Sequence, residues 1–223
     1  TSTLEVDNNT VVYPSASVSF LPTSLFENLV GDGDFGLNYL KFRLGYGTSS
    51  GFPPVYTTRN TLALNAREYI TADGGVVSSN STSNFLGNPN LKAELVSELE
   101  FGIDSRFFNN RVVLNLSVFS KETEDLITQR SLDPSTGFTN TYINGGNLEV
   151  KGVEIDLNVD WFKNRDSFSW TTGVTFYSDE NKVTNLPDGI DKIFLNSGLN
   201  AAIEGQPYGV LVGTKIKRTD DGQ

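Results

Sequence analysis

The residues with the chemistry to act in this chain are carboxylates set two apart. Glu98, Glu100 and Asp104 form one such run, and Glu154, Asp156, Asn158 and Asp160 form another. Paired carboxylates are the acid and base of glycoside hydrolases, so a carboxylate-only hydrolase is one reading. The acids are too many and too regular to single out a pair, and that reading ranks last. The chain has no histidine and no cysteine. Without them there is no imidazole base, no Ser-His-Asp triad and no thiolate nucleophile or metal ligand. We therefore expect no enzyme, no resident metal and no cofactor. The net charge is −10, and with no basic stripe to meet phosphates, nucleic acid is not a partner.

The element that must carry these acids alternates strictly. Val153, Ile155, Leu157, Val159 and Trp161 share one face of an extended segment, with Glu154, Asp156, Asn158 and Asp160 on the other. A period of two is a strand and has no helical reading. Five further runs behave alike: Thr10 to Phe20, Tyr39 to Gly47, Ser97 to Arg106, Val112 to about Glu124, and Phe168 to Ser178. A weaker seventh covers Gly209 to Lys217. Pro14 donates no ladder hydrogen bond and marks an end or irregularity in the first run. Each apolar face is about as long as a tilted strand needs to cross a bilayer, roughly 9–11 residues. No apolar run is long enough for a membrane helix. The opening Thr1 to Asp7 has no signal-peptide character, and the chain reads as cut from a longer one.

The connections alternate between short and long. Phe107-Phe-Asn-Asn-Arg111 is a tight hairpin turn, and Phe162 to Ser167 is also short. Thr48 to Val96, Asp125 to Glu149 and Asp179 to Tyr208 are long and rich in Asn, Ser, Thr, Gly and Pro, so they read as loops. Leu21 to Asn38 is longer than a short turn, and its Ser24 to Val30 stretch suits a helical turn or two. Outer-membrane barrels show this asymmetry, with short periplasmic turns and long outer loops. Phe20, Tyr39, Phe107, Phe108, Trp161, Phe162, Phe168 and Trp170 gather at the short-turn ends, the placement expected of a periplasmic-side aromatic girdle. The polar positions Lys41, Arg43, Glu98, Glu100, Asp104, Glu154, Asp156, Asn158 and Asp160 would then face the lumen, with Arg106 and Lys121 as further counter-charges. Bacterial single-chain barrels use an even number of strands, so seven strands make this part of a larger barrel.

A set of short motifs resembles the C-terminal part of the barrel in SusC/RagA-type TonB-dependent outer-membrane transporters of Bacteroidota. They are Tyr13-Pro-Ser-Ala-Ser17, Leu40-Lys-Phe-Arg-Leu-Gly-Tyr-Gly47, Asn88-Pro-Asn-Leu-Lys-Ala-Glu94, Glu98-Leu-Glu-Phe-Gly-Ile-Asp104, and Phe107-Phe-Asn-Asn-Arg111. Thr123-Glu-Asp-Leu-Ile127, Asn144-Gly-Gly146, Gly152-Val-Glu154 and Glu204-Gly-Gln-Pro-Tyr-Gly209 complete the series. At Ala93 the family more often has proline. The resemblance implies an all-β antiparallel segment of a 22-stranded transmembrane barrel spanning residues 1–223. It implies a separate plug domain, a SusD-like surface lipoprotein and TonB coupling through parts outside these residues. The implied function is import of oligosaccharide or peptide fragments across the outer membrane of a Gram-negative bacterium.

The competing reading of the alternation is a soluble β-sandwich or jelly-roll carbohydrate-binding module, with the apolar faces packed together. Tyr56, Tyr69, Phe85, Phe138, Tyr142 and Phe194 stand in polar loops, where they could stack on a sugar, meet the lipoprotein or simply anchor the loops. Gly31-Asp-Gly-Asp-Phe-Gly36 matches a dinucleotide fingerprint literally, but it precedes a strand instead of opening a helix after one, and it is set aside. Asp32, Asp34, Asp220 and Asp221 resemble starts of calcium loops without the remaining ligands.

Overall fold

The computed structural model describes residues 3–26, 29–30, 36–163, 168–195 and 198–214. The chain-order strands are β1 (Ser15–Phe20), β2 (Leu37–Gly51), β3 (Leu62–Ile70), β4 (Val76–Thr82), β5 (Phe85–Leu86), β6 (Glu94–Phe107) and β7 (Val112–Glu124). They continue with β8 (Ile127–Ser131), β9 (Asn140–Asn144), β10 (Asn147–Lys163), β11 (Ser169–Asn185), β12 (Lys192–Leu195), β13 (Asn200–Ile203) and β14 (Val210–Leu211). A four-residue helix, α1 (Pro22–Leu25), follows β1. Thr23 ties it to β2 by accepting from the Leu40 amide at 3.2 Å.

Six strands form one antiparallel sheet in the order β1-β2-β6-β7-β10-β11. The register aligns like with like. Phe20, Phe42, Ile103, Leu116, Ile155 and Phe176 fall in one row, and Val18, Leu44, Phe101, Val118 and Val153 in the next. The opposite face carries Lys41, Asp104, Asn115 and Asp156 in one row and Arg43, Gly102, Ser117 and Glu154 in another. A slip of one residue would reverse both faces, so the alternation itself sets the pairing.

No second sheet covers the apolar face among the described residues. Val18 is 63% exposed, Phe176 51% and Val174 56%. The buried apolar residues are Leu4, Leu91, Val183, Leu186, Ile193, Ala201 and Ala202. All of them sit at the end of the sheet where the long connections fold. With strands about 4.8 Å apart and roughly 3.3 Å per residue, the uncovered rows from Leu99 to Phe107 span on the order of 600 Å². That is already at the top of the ~300–600 Å² range of the largest patches on soluble monomers. A sandwich would bury this face, and among the described residues it stands uncovered.

Four of the six main strands, β2, β6, β10 and β11, run past the expected bounds, and β7 keeps to them. β10 and β11 are 17 residues each, well beyond the ~9–11 a bilayer crossing needs. The excess stands at the long-connection end, where Lys151 and Glu149 pair at 2.5 Å on the face that is apolar further down. β1 is shorter than the Thr10 to Phe20 run because it stops at Pro14, whose carbonyl accepts from the Thr48 amide at 3.1 Å.

The long connections hold more order than loops. Thr48 to Val96 contains the β3–β4 hairpin and β5, Asp125 to Glu149 contains β8 and β9, and Asp179 to Tyr208 contains β12 and β13. The run at Gly209 does not extend the main sheet. Its described part is β14, the last member of a β12-β13-β14 sheet, and 215–217 lie outside the described residues. Of the Ser24 to Val30 stretch, Ser24 and Leu25 are helical and 27–28 are outside the description, as are 31–35, 164–167 and Asp220 with Asp221.

Candidate functional site

The polar face of the six-stranded sheet is built around Arg43. Its Nε donates to both oxygens of Asp104 at 3.1 Å, Nη1 donates to Glu100 at 3.0 Å, and Nη2 donates to Ser117 at 3.2 Å. Ser117 in turn donates to Glu100 at 3.0 Å. Three side chains from β6 and β7 therefore share one planar guanidinium from β2, the geometry for which arginine is suited. Room for it comes from Gly102, the cross-strand partner of Arg43, where a Cβ would meet the guanidinium. Gly152 does the same for the Phe119 ring, which stacks on Tyr177 at 6.4 Å.

The remaining polar-face residues are less tightly joined. Lys121 pairs with Glu98 at 2.9 Å. Asp156 accepts from Asn158 at 2.6 Å and Thr175 at 3.2 Å, and Asp160 accepts from Thr171 at 2.6 Å. Arg106 stacks over the Tyr39 ring at 5.0 Å. Glu154 and Lys41 share the face without a described ion-pair partner. All nine polar positions singled out in the sequence thus lie on one side of one sheet. The carboxylates run in rows along the sheet, and of them Glu98 and Glu100 line, with Lys121, a cleft of about 500 Å³.

The eight aromatic residues fall at the short-connection end. Phe20 closes β1, Tyr39 opens β2, and Phe107 with Phe108 flanks the β6–β7 turn. Trp161 donates from its indole Nε1 to Thr172 at 3.2 Å, placing it on the apolar face beside a register shift. Phe162 and Phe168 lie 6.0 Å apart, and Trp170 pairs with Phe162 in register. The β6–β7 turn winds through three consecutive positive φ values, 56° at Phe108, 54° at Asn109 and 60° at Asn110. Asparagine tolerates this conformation and phenylalanine does not. The backbone is held by Phe108 N to Gly36 O at 3.1 Å and Asn110 N to the Asn38 side chain at 3.1 Å.

At the opposite end the motifs meet in a rim that periodicity gave no means to see. Asn88 donates from its side chain to Tyr142 O at 2.9 Å and from its backbone to Thr57 O at 2.9 Å. Leu91 is fully buried, and its carbonyl accepts from Asn8 at 3.1 Å. The Asn144 side chain accepts from Lys92 N at 3.0 Å and donates to Lys92 O at 3.0 Å and Asp125 O at 2.9 Å. Glu94 accepts from the Ile127 amide at 3.0 Å. Gly146, at φ 112°, lies where a Cβ would meet the Asn185 carbonyl. Gly205 N bonds Val183 O at 2.8 Å, joining the Glu204-Gly-Gln-Pro stretch to β11. Beneath it Val183, Leu186, Ile193 and Ala202 form a small apolar core. The signal in sequence was the asparagine and glycine motifs themselves, which marked positions without revealing partners some fifty residues away.

Outside the sheet, Glu5 accepts from Arg59 Nε at 2.7 Å and Nη2 at 2.8 Å. The Arg59 hydrogen bonds, helped by Thr58, pull the Glu5 carboxyl down to about 2.

A protein-family model described as TonB dependent receptor-like, beta-barrel matches residues 1–208. The chain belongs to that family. TonB-dependent receptor P3 of Formosa agariphila is 30% identical to it over 229 residues, covering 99% of this chain and 22% of the relative. TonB-dependent receptor SusC of Bacteroides thetaiotaomicron is 24% identical over 219 residues, covering 91% of this chain and 21% of the relative. The chain thus spans about a fifth of the length of these curated relatives. Among solved structures, the RagAB peptide importer in its closed-closed state superposes with a TM-score of 0.77 at 21% identity, over 99% of this chain and 25% of that one. The fold is accordingly that of a SusC/RagA-type TonB-dependent receptor barrel, of which these six strands are a contiguous wall. The family is one of receptors and transporters, not enzymes.

Proposed function

We propose that this TonB-dependent receptor segment forms part of the wall of an outer-membrane importer of glycan or peptide fragments, working with a SusD-like surface lipoprotein. The observation that carries the reading is the uncovered apolar face, which needs a nonaqueous neighbour, set back to back with an ion-paired polar face. Turned toward lipid, the rows of Phe42, Ile103, Leu116 and Ile155 meet hydrocarbon. The polar positions from Lys41 to Asp160 then line the lumen, where carboxylates keep their hydration or pair with a plug. Seven of the aromatics would sit at the periplasmic headgroup level, where amphipathic rings are favoured, while Tyr39, in register with Arg106 on the polar face, would turn toward the lumen. The rim and its short strands would stand outside the cell.

Energy coupling would come from TonB through a plug outside these residues, in a barrel of the 22-strand type. The name of the RagAB peptide importer supports the importer class, and the choice between oligosaccharide and peptide cargo is left to the test. The test is to isolate the full-length protein from outer membranes in mild detergent and identify what accompanies it. A co-purifying surface lipoprotein with bound oligosaccharide or peptide is expected. Recovery as a water-soluble monomer without detergent would overturn the proposal.

A further inference from the structure

Three of the six loop aromatics converge. Tyr56 precedes β3, Phe85 begins β5 and Tyr142 lies in β9, yet all three line one pocket of about 560 Å³ at the long-connection end. The Phe85 and Tyr142 rings are 4.9 Å apart, forming one wall. Tyr56, also in the lining, is 73% exposed. Thr61, Ser83 and Arg59 line the pocket as well.

We infer that this pocket is a subsite for an uncharged sugar ring of the imported oligosaccharide, an inference that rests on the importer reading and narrows its cargo. Two observations choose the ligand. The first is electrical. Arg59, the charged residue of the pocket, is already met at two nitrogens by both oxygens of Glu5. An acidic sugar or a peptide carboxylate would find no uncompensated cation. The second is the mixture of surfaces. Aromatic faces suit the C–H face of a pyranose. The Thr61 hydroxyl, the Tyr142 hydroxyl and the proton of Ser83 make no hydrogen bond with a described residue and are available to ring hydroxyls.

The pocket is also built before any ligand arrives. Asn88 ties two of its lining residues together, Thr57 through its backbone amide and Tyr142 through its side chain, both at 2.9 Å. Gly87 adds a bond from its amide to the Asn60 side chain at 2.8 Å, and a Cβ there would strike the Arg59 backbone. Tyr56 itself stands at φ 65°, a conformation costly for a bulky residue and found where the surroundings impose it. The Asn-Pro-Asn-Leu-Lys motif thus ties lining residues of two segments together, and the strained backbone at Tyr56 fixes where that residue enters the lining. Preorganisation of this kind lowers the cost of ordering a site on binding.

The test uses the full-length receptor in mild detergent and isothermal titration with six neutral hexamers: maltohexaose, cellohexaose, laminarihexaose, xylohexaose, mannohexaose and chitohexaose. Hexagalacturonate and hexa-alanine serve as the acidic and peptide comparisons. The variant is Tyr56→Gly, because glycine accepts the backbone conformation and the change removes the ring alone. Heat-modifiable migration on gels checks that both proteins are folded barrels. At least one neutral hexamer should bind, and Tyr56→Gly should weaken it roughly five- to tenfold, the size of one aromatic contact. A folded receptor that binds none of the six, binds one without regard to Tyr56, or takes hexagalacturonate or hexa-alanine through Tyr56 overturns the subsite while leaving the importer standing. A receptor that shows no heat-modifiable barrel at all removes the importer reading itself.

Discussion

The wall and the rim of this molecule are held together by opposite means. In the wall, side chains alternate and the backbone ladder supplies the order, so neighbouring strands agree row by row: Phe42 beside Ile103, Leu116 and Ile155. In the rim, asparagine side chains and glycine backbones bridge segments that no ladder joins, such as Asn144 to Lys92 and Asn8 to Leu91. The wall is tolerant along its length but intolerant of the wrong face. The rim is intolerant at single positions. A barrel that must present outer segments to cargo needs both, since loops do their work when a rigid scaffold positions them.

The largest expected break in this comparison is a charge on the apolar face. Leu116→Arg should destabilise the folded barrel by about 2–4 kcal/mol if it lies near the bilayer midplane. The same charge at neighbouring Asn115, on the polar face, should cost far less. Urea unfolding of the full-length receptor in lipid vesicles measures both, and equal costs would remove the distinction between the faces.

A rim substitution should come next. Gly146→Ala forces a side chain against the Asn185 carbonyl at a φ that alanine resists, and should cost on the order of 2 kcal/mol locally. Limited proteolysis should show faster cutting in 125–149 while the heat-modifiable barrel persists. Loss of the barrel instead would mean that rim and wall fold as one unit.

Arg43→Met should be milder. It leaves Glu100 and Asp104 without their shared cation on a half-exposed face, at a cost of about 1 kcal/mol after solvent screening. The same unfolding measurement should detect it, and Lys41→Met, with no described partner, should be nearly silent.

The smallest effect concerns the Glu5–Arg59 pair. The Glu5 carboxyl is held at about 2, below its ordinary value, so its contribution is complete above pH ~4.5. It falls away as pH drops through the folded value near 2. Hydrogen exchange of the segment around Glu5 should quicken over that window, and Glu5→Gln should abolish the pH dependence.

How much was legible in the sequence follows the same division. Period-2 alternation located β2, β6, β7 and β10 to within a few residues, missed the late start of β1 and the far end of β11, and composition at the turns located the aromatic clusters. The polar-face set from Lys41 to Asp160 came from the same period. Alternation could not show that Arg43 gathers Glu100, Asp104 and Ser117, because that depends on the register of three strands and on Gly102 leaving space. β3 and β4 were missed because Leu62-Ala-Leu and Val77-Ser-Ser carry no clean two-residue period and sit in polar surroundings. The rim partners were invisible because an asparagine bond to a distant backbone leaves no local pattern. Even Gly209 to Lys217 misled, since Val210 and Val212 alternate as a wall strand does. β14 nonetheless pairs with β13 in the small outer sheet.

The most direct measurement of the central claim uses the absence of native cysteine in this segment. Single nitroxide-labelled cysteines at 114 through 119 along β7, introduced into the full-length receptor in lipid bilayers, report which face meets lipid. Accessibility to oxygen, which concentrates in hydrocarbon, should peak at 114, 116 and 118 and fall at 115, 117 and 119. Accessibility to oxygen that is level along the strand, or a peak for a water-soluble nickel reagent at 114, 116 and 118, would contradict the account.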